Sequence, residues 1–391
     1  MTAQSTLAHG GAGAVEVHRI HRLVQHLAPK AASGDVRAKS FLYGLLAHLV
    51  IVPAWVLPPG VLFGCLVAAG APLGAPGILS TMGVGLGLVA GPRKMRAVFC
   101  GIALLVAAKA KRAGAMGAAA VASFLTWLVT RQGEIPRIPW LFHFVSTWAK
   151  DFYSEAALRG ALQDIRPNKS FLGFHPHGCL CAGFTINTTF NPDFIRAATR
   201  VAFLCDNNLR NNNPGFRLMS EAYKADDRSI EACAPEDFKK QMSQGTNVCF
   251  IPGGFLDAVA FEFGKDVCVL SSKKGFIKYC LQFGYRAHPV YTFGECETYH
   301  TFRGFKRLRM KVAKNNVPAL AFFGWPCLPF LPRPQSKILT YVGRGIDMPH
   351  IPSPSQEDVD KWHQVYTEGL RQLFEEHKVE AGYPDSQLEI L

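Results

Sequence analysis

The hydrophobic positions divide the chain into an apolar first third and a remainder with a globular pattern. No Asp, Glu, Lys or Arg occurs between residues 41 and 92, and about 20 apolar residues suffice for a helix to cross a bilayer. The spacing predicts two passes, over 41–57 and 61–91. A turn is expected at the Pro-Pro-Gly of 58–60, because proline removes a backbone donor and fixes φ. We therefore predict a transmembrane helical hairpin spanning 41–92, with a re-entrant pair of helices as the alternative.

Basic residues flank this stretch on both sides, which predicts that both ends of the hairpin face the cytosol. The preceding segment, 1–40, is a basic N-terminal segment with an amphipathic pattern. A transit peptide has a similar pattern, so a plastid or mitochondrial address stays open. Two shorter apolar runs, 97–108 and 114–130, predict interfacial helices within a segment 93–149. A buried Ala-rich helix pair is the alternative for these two runs.

From about residue 150 short apolar runs alternate with helical patterns. The strand-like runs are 170–174, 200–204, 247–251, 286–293 and 337–342. Helices are predicted over 273–283, closed by Gly284, and over 355–379, begun by the capping pair Ser355 and Asp358. Four prolines within 326–334 exclude a regular element there. The alternation predicts an α/β domain over 150–391, with a sheet covered by helices.

The net charge of the chain is compatible with two classes of binding partner. The 391 residues carry a formal net charge of +13, which suits either a nucleic acid or a membrane surface. Residues 1–130 contain 11 basic residues and two acidic ones, so most of the excess surrounds the uncharged stretch. We expect a membrane-lipid partner and no nucleic acid, since no nucleic-acid motif occurs. A second basic run, 303–314, is interleaved with apolar residues and also suits an anionic membrane surface.

The eleven cysteines are scattered and include no CxxC pair. With no signal peptide in the sequence, this pattern indicates reduced thiols facing the cytosol.

The most informative motif is His175-Pro176-His177-Gly178, directly after a predicted strand. Proline and glycine turn the chain at the carboxyl end of the strand, where α/β sheets place reactive groups. A histidine there can take a proton from a hydroxyl, which acyl transfer to an alcohol requires. Two histidines in a structural turn are the alternative.

A zinc site is a further alternative for this motif. His175, His177, Cys179 and Cys181 alternate along the chain, and imidazoles and thiolates are zinc ligands. The glycine at 178 breaks the strand that would align them, so the prediction is that no metal binds.

Two more segments carry candidate chemistry. Residues 251–257 end a strand with Gly253 and Gly254, whose amides could stabilise an oxyanion together with the turn at Gly178. Asp257 follows and is predicted to face the same edge of the sheet. The basic residues at the start of the predicted helix 273–283 suit a phosphate group, or alternatively form a solvated helix face. These residues are Lys273, Lys274 and Lys278.

Together, in this order, the motifs at 175–178, 252–257 and 274–295 resemble the type-2 diacylglycerol and monoacylglycerol acyltransferases. The resemblance covers about residues 140–391. It implies a glycerolipid-acyltransferase-like fold, and an endoplasmic-reticulum membrane enzyme that uses acyl-CoA as co-substrate without a separate cofactor. Ala182 stands where related acyltransferases have an Asp, so the acid partner of the histidine must come from elsewhere. Asp257 replaces the usual Glu, and Asp206 and Glu295 are other candidates.

On this basis we expect direct transfer of an acyl group to diacylglycerol, with His177 as general base and His175 or Asp257 orienting it. Monoacylglycerol or a long-chain alcohol is an alternative acceptor, and a non-catalytic lipid-binding protein is an alternative class. The catalytic domain is expected on the cytosolic face of the endoplasmic reticulum. A lipid-droplet location and self-association into a homo-oligomer are both left open.

Overall fold

The structure, a computed structural model, describes residues 36–70, 136–302, 304–313 and 320–391. Within 36–70 the chain forms one continuous helix, α1 (Val36–Gly70). The turn predicted at 58–60 is therefore wrong, because the helix runs through it. Proline is tolerated within long apolar helices, where neighbouring groups and local adjustments of the helix satisfy the backbone groups that proline frees. The basic segment before residue 36 and the apolar predictions over 71–135 lie outside the described residues.

Helix α1 is the one helix among the described residues that is long and apolar enough to cross a membrane, over Ala38–Trp55. One third of that window is buried against the rest of the protein. Phe41 stacks on Phe152 with ring centroids 5.7 Å apart. The first half of α1 is thus joined to the α/β domain through its apolar face.

The main sheet contains eight strands in the order β1-β10-β7-β2-β5-β3-β4, with β11 paired to β7. Strands β7, β2, β5, β3 and β4 are mutually parallel. Strand β10 is antiparallel to β7, and β1 is parallel to β10. The bounds are β1 (Glu155–Gly160), β2 (Ser170–His175), β3 (Val201–Cys205), β4 (Arg228–Ala232), β5 (Asn247–Phe250), β7 (Arg286–Phe293), β10 (Lys337–Val342) and β11 (Ile346–Asp347).

Four short strands form two further pairs. These are β6 (Val267–Cys268) with β12 (Glu389–Ile390), and β8 (His300–Thr301) with β9 (Phe322–Phe323). The second pair closes a loop that contains the basic run of 303–314.

Helices cover the sheet, which confirms the α/β prediction. They are α2 (Pro139–Trp148), α3 (Pro192–Ala198), α4 (Asn207–Asn212), α5 (Pro214–Tyr223), α6 (Pro235–Ser243), α7 (Gly254–Ala260), α8 (Gly275–Phe283), α9 (Lys306–Ala313) and α10 (Gln356–His377). A π-helix at Gly183–Thr189 follows the HPHG motif. Helix α10 begins with the predicted capping box of Ser355 and Asp358, and α8 ends at Gly284 in the left-handed conformation.

Two apolar clusters lie on the two faces of the sheet. One contains α1, α2 and α5 side chains with Phe174 and Phe203. The other joins α8 and α10 to the opposite side of the same strands through residues such as Tyr291 and Tyr366. Burial on both faces explains why the central strands are almost wholly apolar.

Candidate active site

Three neighbouring parallel strands end at the same edge of the sheet. Strand β2 lies between β7 and β5, and each of the three is followed by a polar motif. The HPHG turn follows β2, the Pro-Gly-Gly segment leading to Asp257 follows β5, and Gly294-Glu295 follows β7. The sheet order therefore brings together the two motifs that the sequence placed at strand ends, and adds Glu295 to them.

His177 is half-buried at the centre of this edge. Its ring Nδ1 lies 3.1 Å from the carbonyl oxygen of Gly178. Because a carbonyl only accepts hydrogen bonds, Nδ1 carries the ring proton and Nε2 is the unprotonated nitrogen. Burial lowers the pKa of His177, an effect that backbone hydrogen bonds partly oppose. The imidazole is thus neutral near pH 7, with Nε2 available as a base.

Cys181 lies directly against this ring. Its Sγ is 3.3 Å from Nδ1 and 3.4 Å from Nε2 of His177. Its backbone has a φ of 51°, in the left-handed region that residues other than glycine rarely adopt. Burial, followed by the charge of Glu295, raises the pKa of the Cys181 thiol well above its ordinary value. The sulfur is therefore a neutral thiol that packs against the imidazole of His177.

His175 takes a different position from the one predicted for a partner of His177. It is fully buried, and its Nε2 lies 3.1 Å from the hydroxyl of Tyr366 in α10. That hydroxyl donates to the carbonyl oxygen of Gly173, so it accepts from His175. Burial lowers the pKa of His175 to about 3, with the charge of His363 as a second cause. His175 is a neutral, buried link between β2 and α10.

Asp257 contacts the backbone of the HPHG turn. Its Oδ2 accepts the backbone N–H of His177 at 2.9 Å, and Oδ1 accepts the N–H of Val269 at 3.1 Å. Burial raises the pKa of Asp257 to about 6, while these amides and the charge of Lys273 act to lower it. The carboxylate therefore fixes where the turn lies and does not hydrogen-bond the imidazole.

Glu295 fixes the other end of the same turn. Its Oε1 accepts the N–H of Ala182 at 2.9 Å, and Oε2 accepts the N–H of Gly183 at 2.7 Å. Burial raises its pKa to about 7, against the effect of these two hydrogen bonds. Gly178 has a φ of +63°, and a Cβ there would lie 2.5 Å from Cγ and Oε1 of Glu295. The turn thus needs glycine at 178 for both its backbone conformation and its close approach to the carboxylate.

The paired glycines allow the chain to pass Asp257 closely. A Cβ at Gly253 would lie 2.5 Å from Cβ of Asp257. Gly254 begins α7 with a φ of +52°, and no atom lies within 4 Å of the position of its Cβ. Space is thus open beside the backbone at Gly254, where the sequence predicted oxyanion contacts.

The three predicted phosphate ligands differ in their surroundings. Lys274 forms an ion pair with Asp360 at 2.7 Å. Lys273 is half-buried, and its charge acts on Asp257. Lys278 is exposed on α8. Asp206, another candidate acid, caps α4 through the amides of Asn208 and Leu209.

The four residues of the zinc alternative do not converge. His175 bonds Tyr366 and Cys181 packs on His177, while Cys179 belongs to an apolar cluster with Phe261 and Tyr299. In the ranges that the structure describes, no group of three or more His, Cys, Asp or Glu side chains is arranged to hold a metal ion.

We call the segment 176–182, between β2 and the π-helix, the HPHG loop. A narrow cavity of about 20 Å³ lies between α1 and this loop. Its lining comes from α1, from this loop and from neighbouring segments: His48, Ile51, Val52, Trp55, Tyr153, Leu180, Ala182, Thr185, Ile186, Tyr299 and Pro332. His48 is buried, with Nδ1 2.9 Å from the carbonyl oxygen of Gly44 and Nε2 3.3 Å from the hydroxyl of Tyr153. Sequence reasoning missed these residues. The signal for His48 was present, since it is the one histidine within 41–92, a stretch without Asp, Glu, Lys or Arg, and a polar group in such a stretch indicates function.

Comparison with known proteins adds a family to this geometry. The family model described as diacylglycerol acyltransferase matches residues 116–391, more than half of the chain. Acyl-CoA wax alcohol acyltransferase 1 of Homo sapiens is 28% identical over 284 residues, covering 68% of this chain and 83% of the relative. Diacylglycerol O-acyltransferase 2 of Xenopus tropicalis is 26% identical over 295 residues, covering 68% and 78%.

Human diacylglycerol O-acyltransferase 2-like protein 6 is 35% identical over 252 residues, covering 57% of this chain and 71% of the relative. The region that the family model matches includes all three strand ends that form the site. The resemblance seen in the sequence is confirmed: the chain belongs to the diacylglycerol acyltransferase family and is an acyltransferase.

Proposed function

We propose that this enzyme transfers a fatty acyl group from acyl-CoA to the free hydroxyl of diacylglycerol, with His177 as the general base. The observation that carries this proposal is the neutral imidazole of His177. Its Nδ1–H is held by the Gly178 carbonyl, and its Nε2 is unprotonated at the edge where three strands end. Relatives are named for diacylglycerol, 2-acylglycerol and wax alcohol acceptors, so the same base chemistry serves several hydroxyl substrates within the family.

The proposed reaction is a direct transfer. The acceptor hydroxyl gives its proton to Nε2 of His177 as its oxygen attacks the thioester carbonyl carbon. Collapse of the tetrahedral intermediate breaks the C–S bond, and the proton on His177 passes to the departing CoA thiolate. The backbone amides near Gly253 and Gly254, beside open space, are candidates to hold the oxyanion.

A covalent route through Cys181 is disfavoured by its surroundings. The sulfur lies beside the imidazole, but burial and the charge of Glu295 raise the thiol pKa well above its ordinary value. The thiolate is the nucleophilic form of cysteine. An acyl-cysteine would moreover be another thioester, so it would gain little over acyl-CoA itself.

Asp257 and Glu295 are proposed as positioning residues. Each accepts a backbone N–H of the catalytic loop from a different strand end. Together they hold the loop at both ends, so that the His177 ring faces the substrate edge in one orientation.

The acyl-CoA phosphates are proposed to meet the start of α8. This helix leads into β7, so its first turn lies at the same edge of the sheet as the carboxyl end of β7. Lys273 and Lys278 supply the positive charge. Lys274 would first have to exchange its contact with Asp360 for a phosphate.

We also propose that the enzyme lies on the cytosolic face of the endoplasmic-reticulum membrane, attached by α1. A second contact is supported by α9 and its flanks, where large apolar side chains are exposed beside basic ones. Phe305 is 76% exposed, and Phe302, Leu308 and Phe323 are each more than half exposed. This combination fits an anionic lipid surface. We call these four side chains the apolar patch.

The test of the proposed function is a His177→Ala variant of the full chain, assayed in microsomes from cells that lack neutral-lipid synthesis. We expect formation of triacylglycerol from radiolabelled acyl-CoA to fall at least a hundredfold, since general-base catalysis contributes about 10²–10⁴. His143→Ala removes an exposed histidine of α2 and is the matched control. Wild-type activity in His177→Ala, at equal protein level, would refute the assignment.

A further inference from the structure

We propose that Trp55 of α1 recognises an ester carbonyl of the acyl acceptor, and that this contact makes the enzyme select acylglycerols over long-chain alcohols. This inference rests on the proposed acyl-transfer function and concerns the acceptor alone. It starts from a buried hydrogen-bond donor that the protein itself leaves without an acceptor.

The indole Nε1 of Trp55 is buried, and it has no hydrogen-bond acceptor within the part of the chain that the structure describes. Burying an N–H donor without a partner costs free energy comparable to a lost hydrogen bond, so such groups usually indicate a ligand or another role. Trp55 is also part of the cavity lining beside the HPHG loop. A donor in this position is satisfied either by a water molecule in the cavity or by a ligand that brings an acceptor atom.

The position of the indole is fixed by its neighbours. Its ring meets Phe216 of α5 edge-on, with centroids 5.3 Å apart. The Trp55 carbonyl oxygen accepts a hydrogen bond from Nδ2 of Asn213 at 2.8 Å. Both contacts join α1 to the start of α5, so the donor is held in place before any ligand arrives and little ordering is needed on binding.

The other aromatic and imidazole groups of the cavity already have partners. His48 donates from Nδ1 to Gly44, so its Nε2 accepts from the hydroxyl of Tyr153. The Tyr299 hydroxyl donates to the carbonyl oxygen of Phe330. Trp55 is the aromatic donor of this lining that remains to be satisfied, and indole is a donor only. The ligand atom it takes must therefore be an acceptor.

The size and lining of the cavity limit the groups that can supply this acceptor atom. A volume of about 20 Å³ holds a group the size of one water molecule. A carbonyl oxygen fits such a space, whereas a glycerol backbone does not. The remaining lining includes Ile51, Val52, Leu180 and Ile186, which suit the apolar carbons next to an ester. The acyl chains would extend along α1, which is apolar enough to lie in a bilayer.

This chemistry separates the acceptors. Diacylglycerol and monoacylglycerol carry an ester carbonyl close to the hydroxyl that is acylated, and a long-chain alcohol carries none. Leu180 and Ala182 of the cavity wall belong to the loop that contains His177, so a carbonyl held at Trp55 would bring the acceptor hydroxyl to the base.

The test compares diacylglycerol with its diether analogue, in which both ester carbonyls are replaced by CH₂, using the same acyl-CoA and the full chain in detergent or vesicles. Wild-type enzyme is expected to prefer the diester by about tenfold in kcat/KM, as a hydrogen bond to a buried donor predicts. In Trp55→Phe, which keeps the ring but removes the donor, the preference should fall to near one, with little change in the KM for acyl-CoA.

Two controls distinguish recognition from packing. Trp140→Phe makes the same change at a more exposed site on α2 and should keep the preference. Phe216→Leu loosens the support of the indole while leaving its donor, so the preference for the diester should fall only in part, by less than in Trp55→Phe. A wild type without preference for the diester, or a Trp55→Phe variant that retains it, overturns the inference. An equal loss with both acceptors, accompanied by a raised KM for acyl-CoA, overturns it in favour of a donor-side contact. Loss of all transfer in His177→Ala is independent of each of these results.

Discussion

Replacing Gly178 by alanine tests whether the catalytic turn depends on its close approach to Glu295. Two structural costs add at this position. The residue has a φ of +63°, which costs about 1–2 kcal/mol for a residue with a side chain. The added methyl group would also lie 2.5 Å from Cγ and Oε1 of Glu295, well inside van der Waals contact.

The cost of the clash depends on the hydrogen bonds that Glu295 would lose if it moved away from the added methyl group. Its carboxylate accepts the amides of Ala182 and Gly183 at 2.9 and 2.7 Å, and it is buried, so it has little room to move. Losing one hydrogen bond to a charged group costs about 1.5–3 kcal/mol. The total expected for Gly178→Ala is therefore about 2.5–5 kcal/mol, together with a loss of activity because the His177 ring is displaced.

The measurement is chemical unfolding of the detergent-solubilised protein at pH 8, where Glu295 is ionised. Gly264→Ala is the matched control, because Gly264 has a φ of +74° and no atom lies within 4 Å of its Cβ position. The free energy of unfolding of Gly264→Ala should fall only by the backbone contribution, about 1–2 kcal/mol. In a Glu295→Ala background, Gly178→Ala should likewise cost only that amount. Equal losses for Gly178→Ala and Gly264→Ala would show that contact with Glu295 is unimportant and refute the reasoning.

Two further predictions concern pH and lipid. Burial raises the pKa of Glu295 from 4.5 to about 7, so the folded state keeps a proton that the unfolded state releases; the contribution of Glu295 to stability should fall as pH rises between these values, by about 3 kcal/mol. The buried histidines contribute equally to the wild type and to Glu295→Gln, so from pH 4.5 to 7.5 the wild type should lose stability relative to Glu295→Gln, and equal pH slopes of their thermal midpoints would contradict this. In reconstituted vesicles, Phe305→Ser should reduce the activation by anionic over zwitterionic lipid about twofold or more. Val379→Ser, at an exposed valine outside the apolar patch, should leave the ratio of activity in anionic to zwitterionic lipid unchanged. An equal effect of both variants would argue against the lipid contact.

The sequence pattern predicted the central strands well and the edge strands poorly. Strands β2, β5 and β7 are buried on both faces, so their apolar runs stand out between glycines, prolines and polar residues. Strand β1 reads Glu-Ala-Ala-Leu-Arg-Gly, a composition that favours a helix, and pairing with β10 at the edge of the sheet overrides that preference. Strand β4 buries only Ile230 and Ala232, too few for a recognisable alternation.

For the candidate site, the sequence identified the strand ends but not their contacts. Motif order along the chain does not reveal that β2 lies between β7 and β5, and that sheet order places Asp257 and Glu295 on either side of the HPHG turn. Nor does residue type distinguish a carboxylate that bonds a ring from one that bonds a backbone amide. The contribution of α1 was missed because the Pro-Pro-Gly at 58–60 was interpreted as a turn, and the stretch was treated only as an anchor.

The way the HPHG loop is held bears on how the proposed base, His177, would act. A carboxylate hydrogen-bonded to Nδ1–H would stabilise the imidazolium and raise the histidine pKa. Here a neutral carbonyl, that of Gly178, occupies this position, and burial lowers the pKa of His177. The leaving group in the proposed reaction is a thiolate, a weak base of the same class as the cysteine thiolate, whose conjugate acid has an ordinary pKa of about 8.5. A weakly basic imidazole takes the hydroxyl proton only as the C–O bond forms, and it returns that proton readily as the C–S bond breaks. The two carboxylates can therefore fix the loop through its amides without making the base too strong to release its proton.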